Sequence, residues 1–218
     1  MLVQDVMQRG LVVVRPDTTL AEAVRLLQRR GIRHLPVLDE GRLVGIISDR
    51  DLKAAMLSAG KSGGAESEVV PDQLTAADVM QRAVVTIAPM FPVEEAARLM
   101  VTKKISALPV TEALRLVGIV TETDVLELFV RAMGVTEPSS RLDVALGDEP
   151  HALARAIQAV EATGSVISSV MTLRSPVTGL REAVIRVTTI NPGPASRRSK
   201  PRDTRSAIPG ARRRAPMN

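Results

Sequence analysis

The chain has 218 residues, 45% of them hydrophobic and 24% charged, an ordinary globular mix long enough for one or two domains with real cores. It has no Cys, only two His and two Phe, and neither Tyr nor Trp; this excludes disulfides, thiol chemistry and thiolate metal sites, and leaves aliphatic walls and backbone to hold any flat ligand. The net charge of +5 belongs to the end of the chain: residues 192–218 carry eight Arg or Lys against one Asp, a tail of +7 after a mildly acidic remainder of −2. No apolar run approaches the ~18–20 residues that span a bilayer, and the start lacks a basic-then-apolar leader, so a cytoplasmic protein with no membrane partner is expected.

One stretch occurs twice. Residues Asp5 to Leu52 return without a gap at Asp78 to Val125, with 21 of 48 positions identical, which implies two copies of one structural unit packed on each other. Asp5-Val6-Met7-Gln8-Arg9 matches Asp78-Val79-Met80-Gln81-Arg82, and Arg42-Leu43-Val44-Gly45-Ile46 matches Arg115-Leu116-Val117-Gly118-Ile119. In each copy a short leader (Val3–Gln8; Ala76–Gln81) precedes a β-rich stretch (Leu11–Arg15; Val84–Ala88) and a Pro. A helix follows, with Leu20, Ala23, Val24 and Leu27 spaced for one face and Val93, Ala96, Ala97 and Met100 repeating that spacing. Thr19 with Glu22 has the capping-box pattern, and Pro92 suits the first helical position of the second copy. Two strands come next, Leu35–Leu38 and Leu43–Ser48, joined by Asp39-Glu40-Gly41, where the Gly suits a positive φ. The second copy has Glu112-Ala113-Leu114 there, and because Leu in a left-handed conformation costs ~1–2 kcal/mol, a different turn type is expected. Helices near Asp49–Leu57 and Glu122–Met133 close the two β-α-β-β-α units.

The Gly-bearing stretch Ser58–Asp72 reads as a flexible linker. After Pro138 the pattern is β-α-β-β: strand Arg141–Leu146, helix Pro150–Ala162, then strands Val166–Leu173 and Glu182–Ile190. Residues 192–218 collapse into Pro, Gly, Ser and Arg and read as a disordered basic tail. The expected organisation is unit 1 at 1–60, linker at 61–74, unit 2 at 75–134, a third domain at 139–191 and the tail at 192–218.

The residues with most chemistry to offer are Ser48-x-x-Asp51 and Thr121-x-x-Asp124, each following an apolar strand and opening a helix. Three residues apart, hydroxyl and carboxylate share a side of the first turn. The carboxylate suits two vicinal ribose hydroxyls, and the free N–H groups of a helix start suit a phosphate. The same spacing is also a plain helix cap, and both roles can coexist.

The tandem unit, with its leading Asp-Val-Met, its Leu-Pro-Val and its Leu-Val-Gly-Ile before Ser48 or Thr121, resembles a pair of cystathionine-β-synthase (CBS) domains over residues 1–133. The resemblance implies a Bateman module: an α/β (α+β) fold of two β-α-β-β-α units packed as a pseudo-two-fold pair, binding an adenosyl ligand such as AMP, ADP, ATP or S-adenosylmethionine and requiring no cofactor. It places ribose contacts at Ser48, Asp51, Thr121 and Asp124, phosphate contacts at Arg33 and His34, and adenine near the backbone of Leu35-Pro36 and Leu108-Pro109. Ser106 and Ala107 replace the basic pair in the second copy, so unequal affinities are expected. Phe91, in place of Thr18, is either a staple at a helix start or a cover for a base. The third region resembles part of an ACT (ferredoxin-like) domain, on the Gly147–Ala154 stretch, with His151 where that pattern has Gly. CBS pair plus ACT-like region is the layout of acetoin-utilisation regulatory proteins.

These features favour a non-enzymatic regulator that senses an adenosyl ligand between the units and passes a change in geometry to a homodimer or protein partner. A second reading is a structural dimerisation module with empty clefts. A third gives the basic tail nonspecific nucleic-acid contacts; without aromatic interleaving or a folded reader it ranks last. No paired acid and base, P-loop or activated nucleophile is recognisable in the sequence.

Overall fold

The computed structural model describes residues 1–60, 74–176 and 178–188. Most of the linker and all of the basic tail expected from sequence lie outside the described residues, as do the last two residues of the expected final strand. The chain divides into two units, Met1–Leu128 and Phe129–Asn218.

The first unit holds both repeats. A 3-10 turn, Val3–Asp5, leads to helix α1 (Leu20–Arg30), strands β1 (His34–Asp39) and β2 (Arg42–Ser48) and helix α2 (Asp49–Gly60). The second copy gives α3 (Ala76–Val79), α4 (Val93–Lys103), β3 (Ala107–Glu112), β4 (Arg115–Thr121) and α5 (Glu122–Ala132), which runs on across the unit boundary. The apolar spacing produces amphipathic helices: Leu20, Ala23 and Leu27 are buried on α1, and Val93, Ala96 and Met100 on α4. Thr19 caps α1, its hydroxyl accepting from the Glu22 N–H at 3.3 Å. Pro92 stands one position earlier than expected, as the residue before α4, because its extended ψ of 143° is not helical.

The expected strands Leu11–Arg15 and Val84–Ala88 do not form. Each stretch is extended but makes only one parallel bridge, Val14 to Val37 and Ile87 to Val110. The Val14 N–H donates to the Pro36 carbonyl (3.0 Å) and the Ile87 N–H to that of Pro109 (3.1 Å). Pro16 and Pro89, each two residues on from the bridge, offer no N–H with which to prolong a ladder.

The second hairpin corrects another expectation: it keeps the turn of the first. Glu40 and Gly41 have φ of 46° and 80°, and Ala113 and Leu114 have 46° and 65°, the paired positive φ of a type I′ turn. The registers of the two hairpins are the same, and strand twist selects that turn over a cheaper one for Leu114. Leu114 is 89% exposed and gains little from burial. Leu114→Gly is therefore expected to raise stability by about 1 kcal/mol, read as a higher midpoint of thermal unfolding; an unchanged or lower midpoint argues against strain.

The leaders are exchanged between the repeats. Val3 and Met7 belong to the core of the second repeat with Ile87, Ala96, Met100, Leu108, Val110 and Val120. Ala76 and Met80 belong to the core of the first, with Leu20, Ala23, Leu35, Val37 and Ile47. The backbone contacts are reciprocal: the Val3 N–H donates to the Phe91 carbonyl and the Ala76 N–H to that of Thr18. Gln8 exchanges two backbone bonds with Ile119, and Gln81 two with Ile46. This reciprocity is a pseudo-two-fold relation, with β2 packed against β4.

Four residues of the repeated leader motif have distinct roles. Asp5 and Asp78 accept from the Leu2 and Thr75 N–H groups (2.8 Å each) and cap the leader turns; the Thr75 bonds hold the Asp78 carboxyl below the usual carboxylate range. Met7 and Met80 fill the grooves over Gly118 and Gly45, where a Cβ would overlap the Met sulfur. Arg9 and Arg82 donate back to the Gln4 and Ala77 carbonyls. The role of Gln8 and Gln81 lies in the clefts described below.

The second unit contains β5 (Ser140–Leu146), α6 (Ala152–Glu161), β6 (Ile167–Arg174) and β7 (Arg181–Val187). Its antiparallel sheet has the order β5-β7-β6, so the last strand inserts between the two that flank the helix. Leu142, Val144 and Leu146 alternate inward and meet Ala183, Ile185, Val187 and the α6 residue Val160. His151, just before α6, has φ 64°, a conformation that Gly adopts without strain, and it is exposed. No described helix is long and apolar enough to cross a membrane.

Candidate functional site

Two clefts of about 300 Å³ each lie between the repeats, related by the pseudo-two-fold and sized for a nucleoside. Each draws on both copies. One is walled by Leu11, Val12, Ile32 and Pro36 of the first repeat and by Ile119, Thr121 and Asp124 of the second. The other is walled by Val84, Val85, Ile105 and Pro109 of the second repeat and by Ile46, Ser48 and Asp51 of the first. All four of Ser48, Asp51, Thr121 and Asp124 therefore line clefts, a hydroxyl and its carboxylate together in each.

The carboxylates also cap the closing helices. Asp51 Oδ2 accepts from the Ser48 N–H (2.8 Å) and hydroxyl (2.6 Å), while Ser48 Oγ accepts from the Asp51 N–H at 3.3 Å. Thr121 and Asp124 repeat this box at 2.8, 2.7 and 3.4 Å. In both, the second oxygen, Oδ1, takes no part in the cap. It accepts from a glutamine of an exchanged leader: Gln81 Nε2 to Asp51 (3.1 Å) and Gln8 Nε2 to Asp124 (2.8 Å). These glutamines were visible in the sequence as identical residues of both copies, but their reach depends on the exchange of leaders.

The Leu-Pro-Val residues divide. Leu35 and Leu108 are fully buried in the two cores, so their side chains wall no cleft, whereas Pro36 and Pro109 do. The Pro36 and Pro109 carbonyls are taken by Val14 and Ile87. Val12 and Val85 line the clefts, and their backbone groups make no hydrogen bond among the described residues. Phe91 walls neither cleft; it is 49% exposed and its carbonyl receives the Val3 N–H.

Arg33 and His34 line the Asp124 cleft, and His34 lines the other too. Arg33 Nη2 donates to Thr123 Oγ1 (3.1 Å). His34 is buried, with Nε2 at 2.8 Å from Ser106 Oγ, tying β1 to the start of β3. Desolvation, then the neighbouring Arg33, lower its pKa from the ordinary value near 6.5, which disfavours the cationic form in the empty cleft. Two cations not singled out in the sequence stand at the Asp51 cleft, Arg50 and Lys104. Lys104 occupies the left-handed position that Gly31 fills in the first copy, φ 55° against 62°.

The CBS domain family matches residues 3–58 and 76–131. The chain belongs to the CBS-domain family. A CBS domain-containing protein of Dictyostelium discoideum is 37% identical over 142 residues, 64% of this chain and 98% of that one. Two further curated relatives are longer, and the chain spans only 47% and 31% of them. Among solved structures, the CBS pair of protein MJ0100 in complex with 5′-methylthioadenosine and S-adenosyl-L-methionine is similar at TM-score 0.51 and 32% identity, covering 59% of this chain and 95% of that one. A candidate acetoin utilization protein (AcuB) of Vibrio cholerae is similar at TM-score 0.52 and 31% identity, covering 62% and 94%.

Proposed function

We propose that the protein is a regulatory, non-catalytic sensor whose CBS pair binds an adenosyl ligand in each interrepeat cleft. The observation that carries this reading is the paired cleft carboxylate: in each nucleoside-sized cleft an aspartate caps a helix with one oxygen and holds a leader glutamine, exchangeable for a ligand, with the other. A ribose diol would take Oδ1 of Asp51 or Asp124 by displacing the Gln81 or Gln8 amide. That exchange frees a leader side chain belonging to the opposite repeat, so occupancy would be felt in both repeats. The MJ0100 pair, with two adenosyl compounds, supports the ligand class.

Asp51→Ala and Asp124→Ala should each abolish or weaken at least tenfold one of two sites for AMP, ADP, ATP, S-adenosylmethionine or adenosine in calorimetric titration, since hydrogen bonds to a charged group contribute about 1.5–3 kcal/mol. Loss of the cap lowers stability by only about 1 kcal/mol. Wild-type stoichiometry and affinity in both variants would overturn the ribose assignment. One observation favours a ligand-free interaction module instead: both oxygens of each carboxylate already have protein donors. Absence of binding by every adenosyl compound at millimolar concentration selects that reading.

The same proposal includes a homodimer through the CBS pair, a protein partner, and an ACT-like role for the second unit. The inserted-strand order of its sheet supports that last assignment, and similarity to the Vibrio cholerae protein supports an acetoin-utilisation setting. Light scattering with and without nucleotide tests the dimer.

A further inference from the structure

The two clefts share a shape but not a charge. At the Asp124 cleft one cation, Arg33, stands with two carboxylates, Asp124 and Glu127. At the Asp51 cleft two cations, Arg50 and Lys104, stand with one carboxylate, Asp51. His34 borders both clefts, so it does not alter the contrast. The difference arises at equivalent positions: Gly31 against Lys104, Thr123 against Arg50, and Glu127 where the first repeat has Ala54. Arg33 is further committed to Thr123.

We infer that the clefts select different classes of adenosyl ligand: the Asp51 cleft takes a phosphorylated, polyanionic one, and the Asp124 cleft takes one without phosphate, neutral or cationic. This rests on the sensor reading above, and it reverses the assignment implied by the resemblance, which places phosphate at Arg33 and His34. The backbone adds a second mark of specialisation. Lys104 holds a left-handed conformation that favours Gly, so a charged side chain stands at a cleft position where the other repeat keeps no side chain at all. An added Cβ at Gly31 meets nothing within 4 Å, so that cleft has room for a side chain it does not carry.

The probes are ATP without divalent metal and adenosine, titrated calorimetrically into the full chain. Asp124→Ala leaves the Asp51 cleft as the reporter, and there ATP should bind at least tenfold tighter than adenosine. Asp51→Ala leaves the other cleft, and there adenosine should bind as tightly as ATP or tighter. Lys104→Gly in the Asp124→Ala background suits the local backbone and should weaken ATP about tenfold while leaving adenosine unchanged, with the ATP preference fading as salt is raised. The converse, Gly31→Lys in the Asp51→Ala background, should strengthen ATP there. Equal ATP-to-adenosine ratios in the two clefts, or an ATP affinity indifferent to Lys104→Gly, overturn the assignment while leaving the sensor intact. Failure of both probes to bind any of these proteins overturns this inference, and the sensor reading falls with it only when the other adenosyl compounds also fail to bind the unsubstituted chain.

Discussion

Val3→Asp should unfold the second repeat before the first, although Val3 lies at the start of the chain. Its side chain is fully buried among Ile87, Ala96, Met100, Leu108, Val110 and Val120. Losing the apolar burial alone costs about 1.5–3 kcal/mol. An unpaired carboxylate in the same place adds a desolvation penalty that takes the total past about 4 kcal/mol, the exceptional end of single substitutions. The backbone bond from Val3 to Phe91 and the neighbouring bridge from Leu2 to Pro92 are strained along with it. Hydrogen exchange separates the repeats: amides of 107–121 should lose protection ahead of those of 34–48. Loss confined to 34–48 would mean that the leader serves its own repeat, contrary to the contacts described.

The second large effect is at Gly118. A Cβ there lies 2.5 Å from Met7 Sδ and 3.2 Å from the Gln8 carbonyl, the latter fixed by the two backbone bonds with Ile119. Gly118→Val must expel Met7 from its groove and push the leader away, at about 3 kcal/mol. Gly45→Ala should also destabilise, because its added Cβ would overlap the Met80 sulfur and lie 3.0 Å from Met80 Cβ, an atom that moves only with the leader backbone. Met7→Ala in the Gly118→Val background should recover part of the loss, so a denaturant-unfolding cycle should give a coupling of at least about 0.5 kcal/mol. Strict additivity would show that the groove and the sulfur do not meet.

Much of this was legible in the sequence because local periodicity and packing agree. The spacing of Leu20, Ala23 and Leu27 fixes the buried face of α1, and the alternation of Leu142, Val144 and Leu146 fixes that of β5. The Ser48-Asp51 and Thr121-Asp124 pairs announced themselves by their spacing, and the structure puts each pair in a cleft. What was not legible is nonlocal. Nothing in residues 5–9 says which repeat they will join, since the motif is identical in both copies and either groove would accept Met7. The turn at Ala113-Leu114 departs from its residue preference because that preference is local, whereas the register of β3 on β4 sets the turn from outside. The place of Lys104 is not legible locally, because it depends on a left-handed backbone that only alignment with Gly31 hints at. Leu11–Arg15 looked like a strand from composition, yet the sheet offers it a single bridge.

The crossing of the leaders bears on how the chain acquires its structure. As synthesis proceeds, the first repeat emerges without Ala76 and Met80, which complete its apolar interior, while Val3 and Met7 wait for a surface that lies some hundred residues downstream. Neither copy is a self-sufficient folding unit, and closure of those long loops must precede the gain from burying them. Severing the chain between the copies should therefore yield fragments that are poorly ordered alone and gain order on mixing.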